Sequence, residues 1–187
     1  MADLCATIVF NRYYQQGENM LVLVHNLREL NFSALMAVYA EGNAENAEEF
    51  YPYDDRNIGI LRAEDDFYQY LSQSFFTVRG AVYAIWQEND RYISALRLEP
   101  YRDGLLLEAL ETHPDYRRQG YAGKLILAVL NWLKEEGSGA VYSHINKRNL
   151  ASLQTHLSCG FERISEQAVY IDGSVSGSSC TMRYQFQ

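Results

Sequence analysis

Apolar positions change their spacing several times along the 187-residue chain, and each change predicts an element. The run Leu105-Leu106-Leu107-Glu108-Ala109-Leu110 is almost continuously apolar, as a central strand buried on both faces should be. Before it stand the turn signal Asp103-Gly104 and two β-prone runs, 81–86 and 92–98, joined by the polar segment 87–91; these predict an antiparallel hairpin. After it, Ala122, Leu125, Val129 and Leu133 share one face of a helix over 121–136, with Lys134 in its last turn and Gly137 as its stop. A strand over 140–145 follows. Asn149 then caps a helix carrying Leu150, Leu153 and Leu157 on one side and stopped by Gly160. Strand, helix, strand, helix in this order predicts parallel neighbours.

The outer parts carry weaker patterns. Residues 20–24 read as a strand, and Phe32, Leu35, Met36 and Tyr39 recur at helical spacing. The stretch 41–49 (EGNAENAEE) is polar and closed by Pro52, and no element is predicted there; Phe67, Tyr70 and Leu71 predict a second helix over 63–76. Residues 6–10 suggest an extra strand pairing with its neighbour across 14–19. In the tail, 168–171 and 181–186 flank a Gly/Ser-rich loop and read as a closing hairpin. With no internal repeat or linker, residues 1–187 are expected to form a single domain around one core.

Charge and composition narrow the function classes. The net charge is −8, and the 16 Lys and Arg are scattered, so no basic patch for nucleic acid is expected. Acidity of this size is ordinary for a soluble protein and only weakly favours cationic partners such as amines. Cys5, Cys159 and Cys180 are widely spaced and include no Cys-x-x-Cys pair, which argues against a disulfide framework or a zinc site and fits a reducing, cytoplasmic setting. The N-terminus lacks a basic-then-apolar leader, and no run of eighteen apolar residues occurs, so neither export nor a membrane span is expected. Tyr51, Tyr53, Tyr68 and Tyr70 read as amphipathic residues at the edge of the core.

The chemistry concentrates in His113-Pro114-Asp115-Tyr116-Arg117-Arg118-Gln119-Gly120-Tyr121-Ala122-Gly123-Lys124, between the most apolar strand and the best-defined helix. A tight loop leading into a helix start converges backbone N–H groups on one point, and a diphosphate there gains hydrogen bonds and the helix dipole together. Gly120 permits close approach of the main chain, Ala122 is small, and Arg117 or Arg118 adds charge. Taken alone, the same residues also suit an ordinary strand-to-helix turn with a solvated arginine pair. A nucleotide P-loop does not fit, because no Gly-Lys-Ser/Thr follows.

The wider pattern is more specific. Arg117-x-x-Gly120-x-Ala122 resembles the (Gln/Arg)-x-x-Gly-x-(Gly/Ala) signature of the GNAT superfamily of N-acetyltransferases, and residues 112–117 resemble the segment leading into it. Asn149, an apolar helix and Gly160-Phe161 resemble a second motif of that family, so the likeness spans about 105–161. It implies an α/β fold: a GNAT-like mixed central sheet, with antiparallel N-terminal strands and a parallel central pair that splays apart, flanked by helices. It also implies acetyl-coenzyme A as co-substrate, without a metal. Residues Arg117, Arg118, Gln119, Gly120, Tyr121 and Ala122 would hold the diphosphate. Main-chain groups of Leu110 and Thr112 would pair with the pantetheine arm, and Asn149 would touch it from the other side while capping its own helix.

Acetyl transfer to an amine needs a neutral amine, donors for the oxyanion and a proton for the departing thiolate. Glu108 is a candidate base acting through water, its pKa raised by apolar neighbours; the other reading is a strand carboxylate reaching solvent or paired with Arg97. Glu111 points away from Glu108 in a regular strand, and a bulge would reverse that. His144 matches a strand position where some family members carry a catalytic Glu, and a His titrating near neutrality can serve there, although a surface or core imidazole is the more common fate. Where the family usually has a tyrosine acid, four residues before Gly-Phe, this chain has His156, and an imidazolium there can protonate the thiolate. Cys159 reads as a small buried residue. The expected activity is acetyl transfer to a primary amine of a small molecule or peptide in a ternary complex. The competing reading is a non-catalytic acyl-coenzyme A-binding or protein-interaction module of the same fold. Exposed strand edges in the tail make a homodimer compatible with the pattern.

Overall fold

A computed structural model describes residues 14–16 and 19–187; Cys5 and the strand expected over 6–10 lie outside them. Strands β1 (Tyr14–Gln16) and β2 (Asn19–Val24) precede three helices, α1 (Phe32–Val38), α2 (Ala40–Phe50) and α3 (Arg56–Gln73). Then come β3 (Val82–Glu88), β4 (Arg91–Tyr101), β5 (Gly104–Thr112), α4 (Tyr121–Glu135), β6 (Ala140–Asn146) and α5 (Leu150–Ser158). The chain closes with β7 (Glu162–Ser165), β8 (Ala168–Val169), β9 (Val175–Ser176) and β10 (Ser179–Gln185). Eight strands form one mixed sheet in the order β1-β2-β3-β4-β5-β6-β10-β7, and β8 pairs with β9 alone. The β3–β4 connection is a two-residue turn with both central residues, Asn89 and Asp90, at positive φ, the geometry that suits the twist of a hairpin.

Helix α4 covers one face of the sheet. Leu125, Ile126, Val129, Leu130 and Leu133 point inward onto Leu21, Ala84, Leu96, Leu107, Val141 and Met182. The opposite face is covered by α1 and α3, through Leu35, Met36, Val38, Tyr39, Leu71 and the following Phe75, packed against Tyr83, Ile85 and Ala95. The sheet is thus the middle of three layers.

The two features that open the sheet lie on β5. Its parallel pairing with β6 holds for three positions, Leu105↔Val141, Leu106↔Tyr142 and Leu107↔Ser143, and then stops. The start of this contact is tight, because a Cβ on Gly104 would sit 2.0 Å from the carbonyl oxygen of Ala140. On the other edge, β5 pairs with β4 through Arg97↔Glu108 and Ala95↔Glu111, so Ala109 and Leu110 together oppose Leu96: a β-bulge. Ala109 takes a left-handed φ of 50° there. The Tyr39 hydroxyl donates to its carbonyl at 2.5 Å, tying the end of α1 to the bulge.

Three regions differ from the sequence pattern. The polar stretch 41–49 is the body of α2, whose inward side consists of Asn43 and Ala47; it approaches α3 at Gly59, where a Cβ would lie 3.3 Å from that of Ala47. Alanine and glutamate are good helix formers, and with so little surface to bury, no apolar stripe was needed to make this helix. The expected tail hairpin does not form between 168–171 and 181–186. Instead β8 turns back on β9, while β10 runs antiparallel between β6 and β7, a strand that carries no buried residue. In α5, Leu150 and Leu157 are exposed and His156 is the buried residue, so the helix turns a polar side inward.

Candidate active site

Helix α4 begins at Gly120, which has φ +82° and makes no side-chain cap. A Cβ there would meet nothing within 4 Å, so the left-handed backbone, not crowding, calls for glycine, and any side chain would project into open space. The first N–H groups of α4 have no carbonyl four residues back to pair with, and they face a groove of about 530 Å³. Leu110, Thr112, Arg117, Arg118, Gly120, Tyr121, Ala122 and Asn149 line it, which brings together every expected coenzyme residue but Gln119. The Gln119 amide instead donates to the Asp115 carbonyl at 3.2 Å and braces the loop.

The two arginines differ. Arg117 donates through Nε to the Thr112 carbonyl at 3.1 Å and forms ion pairs with Glu111 and with Glu41 of α2. Its charge is therefore largely neutralised. Arg118 sits at φ +61° and, among the described residues, forms no ion pair. The other side of the loop is braced by Tyr121, whose hydroxyl donates to Glu88 at 2.8 Å. Glu41, Gly42 and Glu45 of α2 form an acidic wall of the groove that the sequence reading did not include. Their one signal was helical spacing of carboxylates within a segment whose lack of apolar residues concealed a helix.

Leu110, Asn149 and Ser152 also line a smaller cavity of about 170 Å³ inside the β5–β6 gap. Glu108, His144 and His156, the three residues read as candidates for proton transfer, all line it. Asn149 caps α5, its side-chain oxygen accepting from the Ser152 N–H at 3.0 Å. His156 is buried, and its Nδ1 lies 2.9 Å from the Ser152 carbonyl, an obligate acceptor, so Nδ1 carries the proton. Its Nε2 is enclosed and has no hydrogen-bond partner. Burial lowers the imidazole pKa below its ordinary value, so the ring rests neutral with a free lone pair, not as the imidazolium expected from sequence.

His144 is differently placed. Its Nε2 donates to the Val169 carbonyl at 3.0 Å, and its Nδ1 lies 3.2 Å from the Thr181 hydroxyl. Both ring nitrogens are thus engaged, Nε2 with β8 and Nδ1 with the neighbouring strand β10. Glu108 lies half-buried with its Oε2 3.8 Å from Arg97 Nη2; burial raises its pKa and the guanidinium lowers it, with a net upward shift. The bulge turns Glu111 to the side of Glu108, where it meets Arg117. Cys159 is buried next to the Gly123 carbonyl, and burial raises its thiol pKa, consistent with a packing role.

A gap between parallel strands, facing a glycine-led helix start, is an arrangement suited to a phosphate-bearing ligand that extends into the sheet. The chain belongs to the acetyltransferase (GNAT) family, whose model matches residues 35–161. It is 34% identical over 64 residues to an aminoglycoside N(6')-acetyltransferase type 1 of Serratia marcescens, a match covering 34% of this chain and 44% of that protein. Among solved structures it resembles the PaiA N-acetyltransferase of Thermoplasma acidophilum in complex with coenzyme A, with TM-score 0.61 and 12% identity over 89% of this chain and 99% of that one. It also resembles the ribosomal-protein-S18-alanine N-acetyltransferase of Escherichia coli, with TM-score 0.57 and 16% identity over 89% and 94% of the two chains. Among the described residues no helix is long and apolar enough to cross a membrane, and no cluster of His, Cys, Asp and Glu suits a metal ion.

Proposed function

We propose that the protein transfers an acetyl group from acetyl-coenzyme A to a primary amine of a small molecule or peptide, by direct attack within a ternary complex. The carrying observation is that the groove at the start of α4 and the cavity holding Glu108 and His156 share Leu110, Asn149 and Ser152. A coenzyme whose diphosphate lies on the N–H groups of α4, with Arg118 as its free cation, reaches the gap with its thioester end. Beyond Leu107, β5 no longer pairs with β6, and its main-chain groups there are available to the amides of the pantetheine arm.

In the gap, the amine nitrogen attacks the thioester carbonyl, the C–S bond breaks, and one proton must leave nitrogen while the thiolate gains one. Glu108 takes the amine proton through water. His156, neutral at rest with Nδ1–H held by Ser152, accepts on its Nε2 lone pair the same proton that Glu108 took from the amine, and passes it to the departing sulfur, which leaves both residues as they began. The similar proteins, an aminoglycoside acetyltransferase and an alanine N-acetyltransferase, support an amine acceptor without choosing one.

Release of free thiol from acetyl-coenzyme A tests this, with kanamycin, spermidine and an alanine-terminated peptide as acceptors. Acetylation of any of them supports the proposal. Coenzyme binding without release in an extended amine screen favours the non-catalytic acyl-coenzyme A module instead. His156→Ala should lower kcat by about tenfold or more with coenzyme affinity retained; unchanged kcat sinks its role as relay.

A further inference from the structure

Beneath Glu108, β4 carries a charged residue that coenzyme binding does not use. Arg97 projects into the layer between the sheet and α3, its guanidinium 4.8 Å from the centre of the Tyr70 ring and 5.7 Å from that of Phe75. Such contacts stabilise a cation but supply no acceptors for its N–H groups. Its Nε is enclosed with no partner, and its sole ion pair among the described residues is the 3.8 Å contact to Glu108. A buried guanidinium left partly unpaired is a poor stabilising device, since apolar side chains of similar size serve a core as well or better. Its presence needs another reason, and the group it faces, Glu108, is the carboxylate lining the cavity in the gap.

We propose that Arg97 is a positioning residue: a built-in counter-cation that acts through Glu108 and keeps this carboxylate able to take the acceptor's proton. The inference rests on Glu108 being the base. At 3.8 Å the pair attracts without a hydrogen bond, so both carboxylate oxygens stay available to an amine or a bridging water. The rings of Tyr70 and Phe75 fix the guanidinium, and Tyr70 is itself fixed by donating to the buried Glu99 at 3.3 Å.

Every other titratable neighbour leaves the task to Arg97. From β4, the Glu99 carboxylate pushes Glu108 towards its protonated form. From α3, β3 and the end of α1 come Tyr70, Tyr83 and Tyr39, phenols whose pKa burial raises, so they stay neutral. From β6 and α5, His144 and His156 line the same cavity, with pKa values lowered by burial, and they too are neutral near pH 7. Arg97 is the one cation in this set.

The test reads Glu108 directly. The full-length protein is labelled at its glutamate carboxyl carbons, Glu108 is assigned by comparison with Glu108→Gln, and its titration is followed in wild type, Arg97→Met and Arg97→Lys. Arg97→Met should raise the midpoint by about one pH unit or more; Arg97→Lys, which keeps the charge, should recover most of the shift. Should Arg97→Met not fold, Arg97→Gln keeps the stem between the two rings and removes only the charge. With an accepted amine, the acid limb of kcat/KM should move the same way, so that a loss of about tenfold at pH below both midpoints is recovered on raising the pH. A residue that merely packed would lower activity equally at every pH. An unchanged Glu108 midpoint overturns the proposal. Full turnover by Glu108→Gln would instead remove Glu108 as base, a different failure that the titration alone does not produce.

Discussion

Under the proposed function, the two sides of the β5–β6 gap recognise their ligands by different means. On the coenzyme side the essential element is backbone: the left-handed Gly120, the unpaired N–H groups that open α4, and the strand edge that β5 exposes after Leu107. On the acceptor side it is a side chain, Glu108, backed by Arg97 and Tyr70 from other elements, beside the bulge at Ala109 that Tyr39 holds. Backbone recognition demands glycine and small residues at fixed spacing and depends on few side chains. Side-chain recognition can be rebuilt residue by residue while the sheet beneath it stays the same.

The strongest test of that contrast is Gly120→Glu, which puts a carboxylate where the diphosphate should lie and forces a side chain into φ +82°. It should abolish both the thermal stabilisation by acetyl-coenzyme A and thiol release, measured by melting with and without the coenzyme. A retained shift would mean that the coenzyme does not use the start of α4.

The next effect is on stability. Leu125→Ala, in the core under α4, should cost about 2–5 kcal/mol in urea denaturation. Leu61→Ala, on the exposed side of α3, should change stability by less than about 0.5 kcal/mol.

Acidification should weaken the fold in a defined window. Burial holds the pKa of His156 and His144 below the unfolded imidazole value. Between their folded and unfolded values the unfolded chain binds protons that the folded chain does not, so this part of the stability is complete above about pH 6.5 and declines as pH falls towards the folded values. Denaturation midpoints between pH 8 and pH 5 measure it, and a flat profile in that range would contradict the burial of these rings.

The smallest expected effect lies where the two sides meet. Glu41→Gln removes one carboxylate from Arg117 and from the groove wall, and should tighten acetyl-coenzyme A binding by a few-fold, in line with an exposed ion pair worth about 0.2–1 kcal/mol. Calorimetry at low salt reads it; weaker binding would show that the Arg117–Glu41 pair shapes the loop more than it competes for the cation.

The same contrast explains what the sequence could disclose. Leu105-Leu106-Leu107, the stripe of α4 and Gly120-x-Ala122 follow local rules, and the sheet order around β3–β6 and the gathering of these residues at the start of α4 were legible from them. The bulge was foreseen only as a condition on Glu111, because an extra residue in a strand leaves no mark in apolar spacing. Helix α2 was missed because it buries little more than Asn43 and Ala47. In α5 the three leucines suggested an inward face, yet the buried position is His156, since the helix borders a polar cavity as well as the core. The tail was misread because β10 finds its partners in β6 and β7, a long-range choice that a run of β-prone residues does not encode.

The placing of β10 also bears on how the molecule assembles. Strands β2 to β5 form a meander in which the β3–β4 and β4–β5 neighbours are joined by tight turns, and these pairs can zip up as soon as they are made. The other half of the sheet waits. Strand β6 must hold its place beside three residues of β5 until β10 arrives from 33 or more positions away, as the pairing of Ser179 with Asn146 shows. Protection of backbone amides from exchange during refolding should therefore appear in β3 and β4 before it appears in β10. The gap proposed to admit the thioester is, in this view, a seam between an early-folding half and a late-folding one.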